Sequence, residues 1–139
     1  MGPIDGFATW KIPRLHLIVG QKSIDLVTDG GRLLAPDEIA GVVSRFEKHP
    51  KLVSTRGLYL DLLKPSIGVD SYENRRVLYD LVVGRVESSD QFVREALLAL
   101  DVSVIVVSLS NETPYVIRLL ESNAYTRHEV NHGYVFWKR

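Results

Sequence analysis

Val102-Ser103-Val104-Ile105-Val106-Val107-Ser108-Leu109 is the most strongly β-forming stretch of the chain, rich in β-branched residues and almost continuously apolar. Strict alternation would mark a strand with one wet face. A run apolar at nearly every position belongs instead in the middle of a sheet covered on both faces. The flanking sequence reads as helical. Upstream, Tyr72 to Arg85 carries Val77, Leu78, Leu81 and Val82 at helical spacing, opened by Asp70 or Ser71. The pattern Ser88-x-x-Gln91 then reads as a capping box for a second helix, with Phe92, Val93, Ala96, Leu97 and Leu100 facing inward. Downstream, Asn111 caps a last helix with Pro114 in its first turn and Val116, Ile117, Leu119 and Leu120 inside. Tyr125 to Val130 and Tyr134 to Lys138 close the chain as a hairpin, with Gly133 taking the left-handed position of the turn.

Toward the N-terminus, Leu15 to Gly20 and Lys22 to Thr28 read as another hairpin, because Gly20-Gln21 suits a type II′ turn. Asp29-Gly30-Gly31 breaks the chain. Pro36-Asp37-Glu38 opens a helix whose apolar face is Ile39, Val42, Val43 and Phe46, ended by His49-Pro50. Gly57 to Leu63 is a short strand candidate closed by Lys64-Pro65. The expectation is a single compact α+β domain over residues 11–139, a mixed sheet with about four helices and a β-hairpin at each end. Residues 1–10 precede it as a flexible arm.

The chain has 139 residues, about one domain's worth, and 45% hydrophobic content, enough for a real core. Seventeen Lys+Arg balance seventeen Asp+Glu, which excludes attachment to nucleic acid or anionic membrane by bulk charge alone. The absence of Cys removes disulfides, thiolate nucleophiles and Cys-built zinc sites. No apolar run approaches the roughly 20 residues of a membrane span. Met1 to Gly6 lacks the basic and apolar regions of a signal peptide, and Gly6 stands where myristoylation wants Ser or Thr. A soluble, intracellular protein is the expectation.

His128-Glu129-Val130-Asn131-His132 matches H-E-x-x-H, the signature of a zinc-dependent hydrolase. On a helix, residues i and i+4 share a face and both imidazoles reach one metal, while the Glu polarises a bound water. Here Gly133 and the β-forming Tyr134-Val135-Phe136-Trp137 follow at once, and none of the remaining residues is His, Asp or Glu. On a strand the two His positions stand about 13 Å apart, too far for one ion. The motif is read as a hairpin tip, with no metal and no cofactor implied. Asp29-Gly30-Gly31-Arg32 lacks the pattern of a phosphate loop, no G-x-S-x-G elbow occurs, and Asp61, His16 and Arg75-Arg76 read as ordinary strand and helix-surface residues. No catalytic constellation emerges.

Two family resemblances bear on function. Asn111 to Arg139, running helix, link and hairpin (VIRLLESNAYTRHEVNHGYVFWKR), looks like the recognition helix and wing of winged-helix domains. That likeness implies a nucleic-acid partner, Tyr115 and Arg118 approaching the major groove and Arg127 and Lys138 near phosphate. The order of elements over about two thirds of the chain resembles the matrix proteins of rhabdoviruses. The segments carrying it are DEIAGVVSRF, TRGLYLDLLKPSIG, VSVIVVSLSNE and the closing TPYVIRLLESNAYTRHEVNHGYVFWKR. It implies a non-enzymatic, self-associating structural protein that lines a viral envelope in the virion and contacts nucleocapsid, a homo-oligomer with a membrane surface or nucleoprotein as partner. The basic N-terminal tail and net positive charge of that family are missing here. Self-assembly needs neither a basic face nor an active site and is the preferred reading. Phe7 and Trp10 are the candidate docking residues for a neighbour, and Arg118, Arg127, Lys138 and Arg139 the candidate contacts to nucleic acid or lipid.

Overall fold

In the computed structural model, residues 12–85 and 89–139 are described, and they form a four-stranded mixed sheet with helices on both faces. In chain order the elements are α1 (Arg14–Leu26), β1 (Arg32–Leu34), α2 (Asp37–Val43), α3 (Gly57–Ile67), α4 (Val69–Val82), α5 (Asp90–Ala99), β2 (Val102–Ser108), a 3₁₀ turn (Leu109–Asn111), α6 (Pro114–Ser122), β3 (Thr126–Asn131) and β4 (Tyr134–Lys138). The strand order is β1-β2-β4-β3, with β1 parallel to β2 and the other pairs antiparallel. The fold is α+β. Residues 1–10, including Phe7 and Trp10, lie outside the described residues.

β2 occupies the interior position expected of it: Val102 to Val107 are all buried. Between Arg32↔Val102 and Leu33↔Val104 the register shifts by one residue, leaving Ser103 as the extra residue of a bulge. Alternation changes phase there. Val102, Ile105 and Val107 join the core formed with α4, α5 and α6, whereas Val104 and Val106 join the core formed with α1 and α2. β4 divides in the same way, Val135 and Trp137 to one side and Tyr134 and Phe136 to the other. Gly31 sits against the bulge, where an added Cβ would lie 2.8 Å from the Asp101 carbonyl oxygen and from the Ser103 side chain.

The N-terminal hairpin is replaced by a single helix, α1. Its buried residues, Val19, Gly20, Ser23 and Leu26, follow helical spacing. Gly20 serves as a packing notch and not a turn: a Cβ there would stand 3.3 Å from Val42 Cγ1 and 3.5 Å from Val43 Cγ2 of α2. The Ser23 hydroxyl, fully buried, donates to the Val19 carbonyl one turn back, so it needs no outside partner. The strand expected over Gly57 to Leu63 is likewise a helix, α3. Gly57 is required there because an added Cβ would fall 2.4 Å from Tyr79 of α4. Asp37 ties this corner together, accepting from the Gly57 amide at 3.1 Å and the Tyr79 hydroxyl at 3.2 Å.

Two caps also move. Ser89 caps α5 by accepting from the Phe92 amide, Ser88 being outside the described residues, and Thr113 caps α6 in place of Asn111. Phe92 was expected inside and is 59% exposed. The closing hairpin forms as read, with positive φ at both turn residues, His132 and Gly133.

Two predictions follow from this packing. Gly31→Ala forces a Cβ against a backbone oxygen and is expected to lower stability by about 1–3 kcal/mol. Gly41→Ala, inside α2 with only Arg45 Nη1 at 3.8 Å, should raise it by about 0.5–1 kcal/mol. Urea midpoints of the two variants moving in the same direction would contradict this. The second concerns pH. Tyr125 is buried and donates to the Val102 carbonyl, and burial pushes its phenol from the ordinary 10.0 up to about 12. Tyr134 is raised too, by burial and then by its bond to Glu38. The folded state therefore holds these protons more tightly than the unfolded chain. The stability they confer is complete below the ordinary phenol value and is lost as pH rises through the folded one. Urea midpoints should be flat to about pH 9 and fall steeply by about pH 12, with a shallower fall in Tyr125→Phe.

Candidate functional site

Three features of the surface carry chemistry: an apolar ridge, a polar cleft and a buried carboxylate. The ridge is built by α3 and the start of α4. Leu62, Leu63 and Val69 are 68%, 49% and 57% exposed, and Pro65 stands exposed between them. α3 packs chiefly on α4, through a polar clasp. Asp61 accepts from the Tyr72 hydroxyl at 2.7 Å and lies 3.5 Å from Arg76, while Lys64 Nζ sits 4.7 Å from the Tyr72 ring centroid. That Asp61 bond raises the Tyr72 phenol. The polar side of α3 is thus turned to α4, Leu60 is buried, and Leu62 and Leu63 are left outside. Beneath it, Arg75 closes the chain coming from β1 by donating to the Leu52 and Val53 carbonyls at 3.2 and 2.7 Å.

The cleft lies between α5 and α6 and has a volume of about 360 Å³. Arg94 reaches into it from α5 and Arg118 from α6. The Tyr115 hydroxyl donates to Asp90 at 2.6 Å, and this bond raises the Tyr115 phenol. Asn123 is fixed from both ends: its Nδ2 donates to the Leu119 carbonyl at 2.8 Å and its Oδ1 accepts from Arg94 Nε at 3.2 Å.

The buried carboxylate is Glu112, in the turn between β2 and α6, with only 5% of its side chain exposed. It accepts from Trp137 Nε1 at 2.8 Å and, through both oxygens, from Arg127 at 2.8 and 3.0 Å. The hydrogen bonds that Arg127 donates to Glu112 raise it further above the usual guanidinium range. A bidentate charge-assisted pair anchors the hairpin to the start of α6.

These contacts sort the residues singled out in the sequence. Arg127 is committed to Glu112. Lys138 donates to Thr28 Oγ1 at 3.3 Å. Arg139 is ion-paired with Asp101 at 2.8 Å and Asp29 at 3.2 Å, and its own amide bonds the Ser103 carbonyl. The basic tail is therefore stitched back onto the β2 end of the sheet. Arg118 lines the α5–α6 cleft, its Cζ 5.7 Å from the Tyr115 ring centroid. In the H-E-x-x-H stretch, His128 occupies a bulge of β3, His132 is in the turn, and Glu129 is paired with Lys22 at 3.0 Å, which lowers its carboxyl. Helical stacking of the two imidazoles does not occur. Among the described residues no group of three His, Asp or Glu could hold a metal ion. The winged-helix arrangement also meets a different geometry, since α6 follows a seven-residue strand and its Tyr115 is bound to α5.

Arg94, Asp90 and Asn123 are partners that only packing reveals, for α5 and α6 are separated by all of β2. The ridge leucines were visible but read as a strand. No family model, curated protein or solved structure matches the chain. No helix among the described residues is long and apolar enough to cross a membrane.

Removing the Glu112 carboxylate leaves a buried indole N–H and a guanidinium without their acceptor. Glu112→Ala is expected to lower stability by about 1–3 kcal/mol. Glu112→Gln, which keeps one acceptor for Trp137, should lose less. In a Trp10→Phe background, red-shifted Trp137 emission in Glu112→Ala but not in Glu112→Gln would check the assignment.

Proposed function

We propose that this chain is a non-enzymatic assembly module that self-associates through the α3–α4 ridge, with a second copy as the occupant of that ridge. The observation that carries the reading is the exposure of Leu62 and Leu63 on α3 and of Val69 at the start of α4. Three exposed large apolar side chains within eight residues of sequence are more than the single ones scattered on most surfaces. The ridge also carries both signs of charge, Lys64 on α3 and Asp70 at the start of α4, both exposed. A two-fold contact brings such a pair into register twice, Lys64 of each copy against Asp70 of the other. Zero net charge removes bulk repulsion between copies.

Magnitudes set the kind of association. Burying one leucine fully is worth about 1.5–3 kcal/mol, and the ridge offers three partly exposed apolar side chains. The rigid-body cost of association is about 4–15 kcal/mol. A pair formed by this surface alone is weak, and a stable assembly requires several such contacts acting together. That is the physics of a matrix-like layer, and the resemblance to rhabdovirus matrix proteins supports reading the assembly as an envelope lining that also contacts nucleocapsid. Arg118 and the segment containing Phe7 and Trp10 are retained as secondary contacts in that reading.

Sedimentation velocity over a wide concentration range should show mass-average growth for the wild type. Leu62→Glu combined with Leu63→Glu should remain monomeric with an unchanged urea midpoint, because neither side chain is part of the core. A wild type that stays monomeric at millimolar concentration would overturn the proposal.

A further inference from the structure

The α5–α6 cleft is independent of the ridge, and its chemistry differs. Two guanidiniums, Arg94 and Arg118, converge on it from separate helices, and neither is ion-paired among the described residues. Four other cations are ion-paired: Lys22 with Glu129, Arg76 with Asp61 and Asp80, Arg127 with Glu112, and Arg139 with Asp29 and Asp101. Among the described residues, the cavity brings two guanidiniums together with one carboxylate, Asp90, that bonds neither of them, so an anionic ligand could serve both.

The acid nearest at hand is diverted. Asp90 is four residues before Arg94, the spacing of a helical ion pair, yet its carboxylate accepts from the Tyr115 hydroxyl instead. Arg94 is oriented through Nε by the fixed amide of Asn123, which leaves the outer edge of its guanidinium for a ligand. Arg118 lies over the Tyr115 ring, so its plane is held as well. Two oriented forks on opposite walls suit an anion with several equivalent oxygens, which accepts bidentate bonds from more than one side. A carboxylate offers two such oxygens and a phosphoryl group three.

We infer that the cleft between α5 and α6 is a binding site for a phosphomonoester, held between Arg94 and Arg118. Its volume of about 360 Å³ admits the phosphoryl group together with part of the moiety that carries it. Asp90 and the Tyr115 hydroxyl then face that moiety and select one bearing a hydrogen-bond donor, such as a hydroxyl. Two sources share this chemistry, a soluble phosphorylated metabolite and a phospholipid headgroup with a terminal phosphate.

The test uses the full chain and two probes, glycerol 3-phosphate followed by amide and arginine Nε resonances, and vesicles containing phosphatidic acid followed by flotation. Saturable shifts at Arg94, Arg118 and Asn123 are expected, with affinity at least about tenfold weaker in Arg94→Gln and in Arg118→Gln. Arg14→Gln, remote from the cleft, should bind as the wild type does. Flotation lost in the same two variants assigns the lipid source; binding of the soluble probe without flotation assigns the metabolite. Both arginines are at the surface, and unchanged urea midpoints verify that the variants fold. Absence of saturable shifts and of flotation, or equal loss in Arg14→Gln, would overturn the inference. Because the ridge variant Leu62→Glu/Leu63→Glu should still bind glycerol 3-phosphate, failure here and failure of self-association are separable.

Discussion

The structure depends on keeping β2 dry on both faces. Six successive buried residues, Val102 to Val107, leave this strand no solvent side. Its backbone is satisfied by β1 on one edge and β4 on the other. Two separate helical layers must then cover it. Each of the surrounding particulars serves that requirement. Gly20 lets α1 lie close on α2, Gly31 lets β1 reach the bulge at Ser103, and Glu112 locks the hairpin that supplies β4. The bulge divides β2 unevenly between the layers, giving three side chains to the α4–α6 side and two to the α1–α2 side.

What the sheet does not use is where function is proposed. α3 rests on α4 and not on β2, and its polar clasp with Tyr72 and Arg76 turns Leu62 and Leu63 outward. The α5–α6 cleft lies between two helices that share one core, and it is lined by their polar residues. Both features lie at the surface, the ridge as exposed apolar side chains and the cleft between two helices joined by the Tyr115–Asp90 and Arg94–Asn123 bonds. Burial of the ridge would supply a contact of a few kcal/mol at most, so cooperation among copies, and not the affinity of one interface, is the expected source of order.

Much of the frame was legible in the sequence, and for identifiable reasons. VSVIVVSL is too uniformly apolar for anything but an interior strand, and Asn131-His132-Gly133 between β-rich runs specifies a hairpin turn. α2, α4, α5 and α6 carry apolar residues at clean helical spacing. The failures share a cause. In α1, small buried residues (Gly20, Ser23) replace the bulky stripe that signals a helix, so the Gly-Gln pair resembled a turn. In α3, Leu58-Tyr59-Leu60-Asp61-Leu62 alternates like a strand, and of its described leucines Leu60 is buried while Leu62 is exposed. An exposed apolar set erases the contrast on which periodicity relies, and the residues that mislead a secondary-structure reading there are the ones proposed to meet a partner. Of the candidate cations, charge alone nominated four. Only the packing distinguishes Arg118, facing a cleft, from Arg127 and Arg139, which are consumed internally.

Residue-resolved hydrogen exchange across a concentration series tests the account most directly, since it separates the sheet from the peripheral helix in one experiment. The amides of Val104 to Val107 should exchange only through global unfolding at every concentration. Those of α3 should exchange through a local opening well below that limit in dilute solution, and gain protection as concentration rises and the ridge is covered. Protection of α3 that equals that of β2 in dilute solution, or that ignores concentration, would contradict it.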